Sequence, residues 1–376
     1  NMPSKRKINV LIVDDSVVSR ALLTHILESD KEIEESDIDI NIMGTAVSGE
    51  DALKFLQTHK PDIILMDVCM PGMTGFETTR RIMEQTPLPI IIVTSIPDIK
   101  SSRNTFKMME AGALAIMAKP PGPGHPDYPL EAKAIRETVR VMSEVKVIKR
   151  WAKTTNNKEI HNSSDKTKSN SQTLQSTPKK TPNNPKNMRS KIVVIGVSTG
   201  GPPVLKTILS MLPINFLLPV VIVQHIAPGF LDGMVSWLSQ TSTLPIHIPN
   251  HGETVLPGHV YFAPDKFNME ITEQRIIMLN KDNHKWNCCP SVSCLFMSVL
   301  KNFGSSAVGV ILTGMGEDGA AELLSMKHAG SITITQNQSS CVVFGMPGKA
   351  VSLGAATYIL PPDEIAQKLI ELARNA

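Results

Sequence analysis

The sequence predicts two α/β domains joined by a long polar linker. Three observations lead there. Short, wholly apolar runs alternate with amphipathic stretches, the alternation stops over residues 152–190, and it restarts beyond them. Brief apolar runs punctuated by helical stretches are the pattern of parallel strands covered on both faces. A chain of 376 residues that is 41% apolar and 19% charged has room for two or three domains. That excludes wholesale disorder and a disulfide mini-protein. No apolar run approaches the roughly 18 residues of a membrane span. The opening NMPSKRKINVLIVDD reaches acidic residues after one run too short for a signal-peptide core. Five cysteines, an odd number with no C-x-x-C pair, point to reduced thiols and a cytoplasmic location.

Taken in order, INVLIVDD, the IIL around Ile63, PIIIVTS and ALAIMAKP read as buried strands, and 17–29, 49–58, 75–84 and 103–111 as helices. A further helix over 130–149 leads into the linker. In 152–190 the apolar side chains are Ala152, Ile160, Leu174 and Met188, too few to offset the entropy of ordering the segment, so it reads as a flexible spacer. The basic charge is concentrated there. Residues 151–190 hold eight Lys/Arg and two Asp/Glu, leaving 30 basic against 33 acidic residues elsewhere. The net charge of +3 therefore marks no basic face, and no nucleic-acid partner is expected. After the spacer KIVVIGV, LPVVIVQH, HVYFAP, AVGVILTG and SITITQ read as strands, and 202–211, 230–240, 291–302, 317–328 and 362–374 as helices.

In a parallel sheet, ligands bind at the carboxyl ends of the strands. Asp14 and Asp15 follow the first strand, Asp67 the third, Thr94 ends the fourth, and Lys119 ends the fifth, before Pro120. Three converging carboxylates repel one another unless a cation neutralises them, and hard oxygen donors suit Mg²⁺. A carboxylate beside such an ion and a lysine is placed to accept a phosphoryl group, with a threonine hydroxyl ready to bond it. Singly, each residue has an ordinary reading as a helix cap or turn. The whole set at successive strand ends does not. Residues 8–125 resemble the response-regulator receiver family, whose flavodoxin-like fold is thereby implied. The resemblance implies that Asp67 is phosphorylated by a histidine kinase of the chemotaxis type. It also implies Mg²⁺ held by Asp14, Asp15, Asp67 and the carbonyl of Cys69, phosphoryl sensing by Thr94 and Lys119, and a cis bond at Lys119–Pro120.

The second constellation begins with Gly196-Val197-Ser198-Thr199-Gly200 between a strand and a helix. A nucleophile elbow requires that context, and free N–H groups at the helix start suit an oxyanion. A glycine-rich phosphate loop has the same context, so this segment alone leaves both readings open. His225, at the carboxyl end of the next strand, is a general-base candidate. Asp318, in MGEDGAAEL, either caps the following helix or orients the histidine. The chain order Ser…His…Asp is not that of an α/β-hydrolase.

Residues 191–376 resemble the catalytic domain of the chemotaxis protein-glutamate methylesterases in GVSTGGP, QHIAPGF, VLPGHVYFAPD, the PSV at 290–292, AVGVILTGMGEDGA and QNQSSCVVFGMP. What this implies is a parallel-sheet α/β domain with Ser198 as nucleophile, His225 as base and Asp318 as orienting acid. Met315 would then sit beside the oxyanion and Thr199 would support the site. Glutamate γ-methyl esters on chemotaxis receptors would be the substrate and receptor glutamines a second one, with no cofactor in the esterase site and no membrane insertion. The domains expected are thus a receiver at 8–125, a helix and linker at 126–190, and a catalytic domain at 191–376, the receiver covering the Ser198 cleft until phosphorylated. The segment HKWNCCPSVSC departs from the family, with Cys289 before Pro290, Ser293 after Val292, and His284 out of register. This bears on substrate recognition more than on hydrolysis. Cys288, Cys289 and Cys294 also raise zinc binding, but adjacent cysteines chelate awkwardly, and the expectation is buried or idle thiols. Two rival functions are a protein-binding module that no longer hydrolyses and a DNA-binding regulator. The complete triad opposes the first. The lack of a helix-turn-helix pattern and of basic charge opposes the second.

Overall fold

The computed structural model describes residues 6–29, 38–95, 99–147, 191–281, 286 and 288–374. The expected spacer at 152–190 and His284 lie outside the described residues. Two separate sheets occupy the two halves. The first comprises β1 (Arg6–Val13), β2 (Ile38–Ala46), β3 (Ile63–Met66), β4 (Ile90–Thr94) and β5 (Ala115–Ala118), all parallel in the order β2-β1-β3-β4-β5. Its helices are α1 (Val17–Glu28), α2 (Gly49–Phe55), α3 (Gly75–Gln85), α4 (Ile99–Ala111) and α5 (Tyr128–Ser143). Strands β3 and β4 are buried at every position, which is why their sequences run apolar without alternation. Ser16, Ser48 and Thr74 start α1, α2 and α3 by accepting hydrogen bonds from the N–H groups of Ser19, Asp51 and Glu77. The strand order reverses between β1 and β3, so their carboxyl ends open a crevice.

The second sheet runs β14-β13-β12-β6-β7-β9-β8, again parallel throughout. Its strands are β6 (Ile192–Val197), β7 (Val220–Gln224), β8 (Ile246–His247), β9 (Val260–Phe262), β12 (Ala307–Ile311), β13 (Ile332–Gln336) and β14 (Tyr358–Leu360). An antiparallel hairpin of β10 (Asn268–Ile271) and β11 (Ile277–Asn280) lies outside it. The helices are α6 (Gly201–Met211), α7 (Leu231–Leu238), α8 (Val292–Phe303), α9 (Ala320–His328), α10 (Met346–Ser352) and α11 (Pro362–Arg374). Here β6 is flanked by β7 and β12, and that junction is the switch point of the sheet.

Several expectations need correction. Helix α5 stops at Ser143 and not at 149. Val145 and Val147 beyond it pack against the N-terminal core as non-helical chain. Helix α9 begins at Ala320 and not at 317, because Gly319 turns the backbone at φ 84, a conformation costly for other residues. Asp318 is therefore left in a loop. Among the described residues the cis peptide bond is Cys289–Pro290, so Lys119–Pro120 is trans. Its ammonium reaches the acidic crevice from the trans form, which X-Pro bonds prefer.

The halves meet where α4 packs on α6 and α7. Phe106 of α4 is wholly buried in the core cluster of the second half, its ring stacked 5.6 Å from that of Trp237. Ile116 and Ala118 of β5 pack against the same cluster. At the edge Lys206 pairs with Glu110 and lies 4.9 Å from the Trp237 ring centroid.

Candidate active site

Strand β6 delivers Ser198 and strand β7 delivers His225. Val197 and Gln224 are register partners on these adjacent strands, so the two side chains leave neighbouring strand ends. Ser198 is buried at 8% exposure and shares a cleft of about 60 Å³ with Thr199, Gly200 and His225. The tight turn after it depends on two glycines. Gly200 has φ 79, and a Cβ at Gly201 would lie 2.3 Å from Gln224 Oε1. Gln224 donates from Nε2 to the carbonyls of both Ser198 and His225, each at 2.9 Å, and so ties the two strand ends together. From the other side, the N–H of Ser198 bonds Thr313 O at 3.0 Å, and the Thr313 hydroxyl bonds Thr199 O at 3.0 Å.

Asp318 arrives from the loop after β12. Its Oδ2 lies 3.0 Å from His225 Nε2. It does not cap α9, whose N-cap is Gly319. It holds the start of α8 instead, accepting hydrogen bonds from Val292 N at 2.7 Å, Ser293 N at 3.0 Å and Ser291 Oγ at 3.1 Å. Burial works to raise the Asp318 carboxyl. The hydrogen bond and charge of His225, with the Ser293 donors, outweigh it and hold the group well below the usual carboxylate range. A depressed folded value means that the stabilisation is complete above the unfolded range near ~4 and is lost only as pH falls through the folded value. The Asp318 contacts thus persist across the neutral range.

Of the departures at the PSV segment, Ser293 sits against this carboxylate. Ser293 donates its N–H to Asp318, its hydroxyl to Glu322 at 2.6 Å, and accepts from Gly319 N at 2.9 Å. Cys288 reaches the same carboxylate. Its Sγ lies 3.2 Å from Asp318 Oδ2 and 3.6 Å from His225 Nε2, while burial and then the Asp318 charge push the thiol up. Cys294 is buried, as expected. Met315 lines a groove of about 880 Å³ with His225, Cys288 and Asp318.

In the N-terminal half, oxygens of Asp14, Asp15 and Asp67 all lie within 4.8 Å of one another. Asp14 and Asp67 are almost wholly buried. Lys119 Nζ reaches Asp14 Oδ2 and Asp67 Oδ2 at 2.8 Å each. Burial works against its charge, but the bonds to Asp14 and Asp67 prevail and raise it. Thr94 is buried at the end of β4, and its carbonyl accepts from Lys119 N at 2.9 Å. Cys69 is exposed on the loop after β3.

A family model described as CheB methylesterase matches residues 193–369, and one described as response regulator receiver domain matches residues 10–125. Across 366 residues the chain is 46% identical to protein-glutamate methylesterase/protein-glutamine glutaminase 1 of Syntrophus aciditrophicus (strain SB), covering 97% of this chain and 98% of that protein. The chain belongs to the protein-glutamate methylesterase family. Another methylesterase/glutaminase, from Nitrosospira multiformis, is 44% identical over 97% of each chain. Among solved structures, the Thermotoga maritima CheB methylesterase catalytic domain is 40% identical, with a TM-score of 0.46, covering 49% of this chain and 98% of that one. As a methylesterase-family chain, this one also has supports to which the motifs assigned no role. Gln224 and Thr313 position the Ser198 turn, and Ser291 and Ser293 position Asp318. Their signal was their place inside quoted segments, one or two residues from a named side chain.

Proposed function

We propose that Ser198, His225 and Asp318 form the hydrolytic triad of a phosphorylation-activated protein-glutamate methylesterase and protein-glutamine glutaminase. The observation that carries the reading is the 3.0 Å His225–Asp318 contact beside a buried serine at the adjoining strand end. Asp318 takes Nε2, which leaves Nδ1 to accept the Ser198 proton, the reverse of the chymotrypsin-type pairing. Ser198 Oγ attacks the γ-ester carbonyl of a receptor glutamate while His225 receives the proton. Backbone N–H groups around Thr199 and Met315 hold the oxyanion. Collapse of the tetrahedral species expels methanol, protonated by His225, and water activated by the same imidazole then frees the glutamate. An amide leaves as ammonia by the same route, with greater demand on the protonated imidazole. Exchanging Asp318 for Asn is expected to lower kcat by about 10³–10⁴ in steady-state methanol release. A loss under ten-fold would contradict an orienting role.

In the receiver, Asp67 is the phosphoryl acceptor and a chemotaxis-type histidine kinase the donor. The all-oxygen donor set of buried Asp14 and Asp67 with exposed Asp15 and the Cys69 carbonyl suits Mg²⁺, which would neutralise phosphoryl oxygens. Lys119 supplies the second positive charge, and Thr94 a hydroxyl for the transferred group. Both flank β4 and β5, and β5 with α4 is the face that covers the Ser198 cleft. Met109 and Ile116 line that cleft. Charge added at Asp67 shifts the population toward an uncovered cleft. The domains proposed are 8–125, 126–190 and 191–376. Among the described residues no helix is long and apolar enough to cross a membrane; the proposed location is the cytoplasm, where the enzyme would act on receptor helices.

The test is methanol release from methyl-labelled receptor membranes, with and without a small-molecule phosphodonor and Mg²⁺. Release that rises several-fold with donor is expected. No release in either condition would overturn the assignment.

A further inference from the structure

The Cys288 thiol has no part in that hydrolytic scheme, yet it completes a three-atom face. His225 Nε2, Asp318 Oδ2 and Cys288 Sγ are separated by 3.0 Å (N to O), 3.2 Å (S to O) and 3.6 Å (S to N). Around a tetrahedral zinc with ordinary bond lengths, the same three donors stand about 3.3, 3.5 and 3.6 Å apart. All three edges involve the same three atoms, so one ion can face them together. We propose that this face binds Zn²⁺ or a similar borderline-soft divalent ion, and that the bound ion switches the esterase off.

The ligands are held in advance. Asp318 Oδ1 accepts from Ser291 Oγ and Ser293 N, and Oδ2 from Val292 N at 2.7 Å, which fixes the carboxylate with Oδ2 also facing the thiol and the imidazole. Such outer hydrogen bonds are what orient metal ligands elsewhere. The face opens onto the groove that Trp286, Met315 and Glu317 also line, leaving the fourth coordination position to water. Donor chemistry separates this site from the receiver crevice. Mg²⁺ takes hard oxygens, whereas thiolate and imidazole select zinc-like ions.

Inhibition follows from proton positions. In the working enzyme Nε2–H faces Asp318 and Nδ1 is the free base. A metal on Nε2 needs that lone pair, so the ring proton must move to Nδ1, where it blocks acceptance of the Ser198 proton. The thiol loses its proton to solvent as the S–metal bond forms, so one proton is released per ion bound. The inhibitory half of the proposal rests on the triad assigned above. The binding half does not.

The experiment uses the reduced, chelator-stripped full-length chain with Co²⁺ as a coloured stand-in for Zn²⁺. A thiolate-to-cobalt charge-transfer band is expected, saturating at a single equivalent and bleached by Zn²⁺. The oxygen-only receiver crevice gives no such band. Cys288→Ser should lose it, while Cys289→Ser and Cys341→Ser keep it, with circular dichroism verifying that each variant is folded. In parallel, Zn²⁺ should depress methanol release on the order of 10²-fold, the low end of a general base's contribution. Cys288→Ser should retain most of its own metal-free rate. No band in the native chain, or an equal band in Cys288→Ser, overturns the site. A band with full activity at saturating metal leaves the site standing and overturns His225 as the base.

Discussion

Replacing Ser198 by alanine is expected to abolish methanol release, lowering kcat on the order of 10⁶-fold, the size of loss seen when a serine nucleophile is removed from a triad. The change is small structurally. The Cβ, which already lies close against Gly314, stays in place, and the polar support of the turn comes from Gln224, Thr313 and backbone groups and not from the serine hydroxyl. Folding and receiver phosphorylation should therefore survive, which separates loss of chemistry from loss of structure. The variant also decides between the two nucleophilic atoms near His225. Cys288 lies within contact of the imidazole, but burial and the adjacent Asp318 charge keep it protonated at neutral pH, and a thiol is a poor nucleophile until ionised. Activity surviving Ser198→Ala and vanishing in Cys288→Ser would move the nucleophile to sulfur. Activity unchanged in both would favour a binding module with an unrelated hydrolase contaminating the assay.

What the sequence made legible was the part set by local chemistry. Runs such as IVVIGV and VVIVQ must be buried strands, a Gly-rich turn must follow the first, and residues at the ends of parallel strands must converge. Hence Asp14, Asp67, Lys119, Ser198 and His225 were all placed by reading along the chain. Strand β2 was not identified as a segment because it is an edge strand of mostly half-exposed residues, and its IDINIMGTA lacks a continuous apolar run. The two-residue β8, the three-residue β14 and the β10–β11 hairpin are too short or too mixed to show a period. Asp318 was legible as a candidate but not in its role. Whether it capped α9 or reached His225 depended on where that helix began, and Gly319 settles this by turning the chain one residue later. The place of Cys288, expected among buried or idle thiols, was not legible because its neighbours, Asp318 and His225, are distant in sequence, and only the closed sheet brings them together.

Phe106→Ala is expected to release the esterase from its dependence on phosphorylation. The side chain belongs to the receiver half yet is wholly buried among residues of the catalytic core, against Trp237, and it is absent from the two clusters that hold the receiver sheet together. Removing it therefore hollows the interface and spares the receiver's own core. Truncating a buried phenylalanine costs about 3–5 kcal/mol, and in an uncovered state the ring would face water, so most of that cost falls on the covered state. An equilibrium shift of even ~1.4 kcal/mol changes the covered-to-open ratio ten-fold. Donor-free methanol release should thus rise about ten-fold or more, and added phosphodonor should raise it little further. The edge pair behaves differently. Lys206 and Glu110 are partly exposed, and such pairs contribute about 0–1 kcal/mol, so Glu110→Ala should raise the basal rate only modestly. A chain beginning at Lys191 removes the cover altogether and sets the ceiling for both. If Phe106→Ala folds, accepts phosphate at Asp67 and keeps the low basal rate of the parent, the α4–β5 face is not what restrains Ser198, and the coupling must run through another contact.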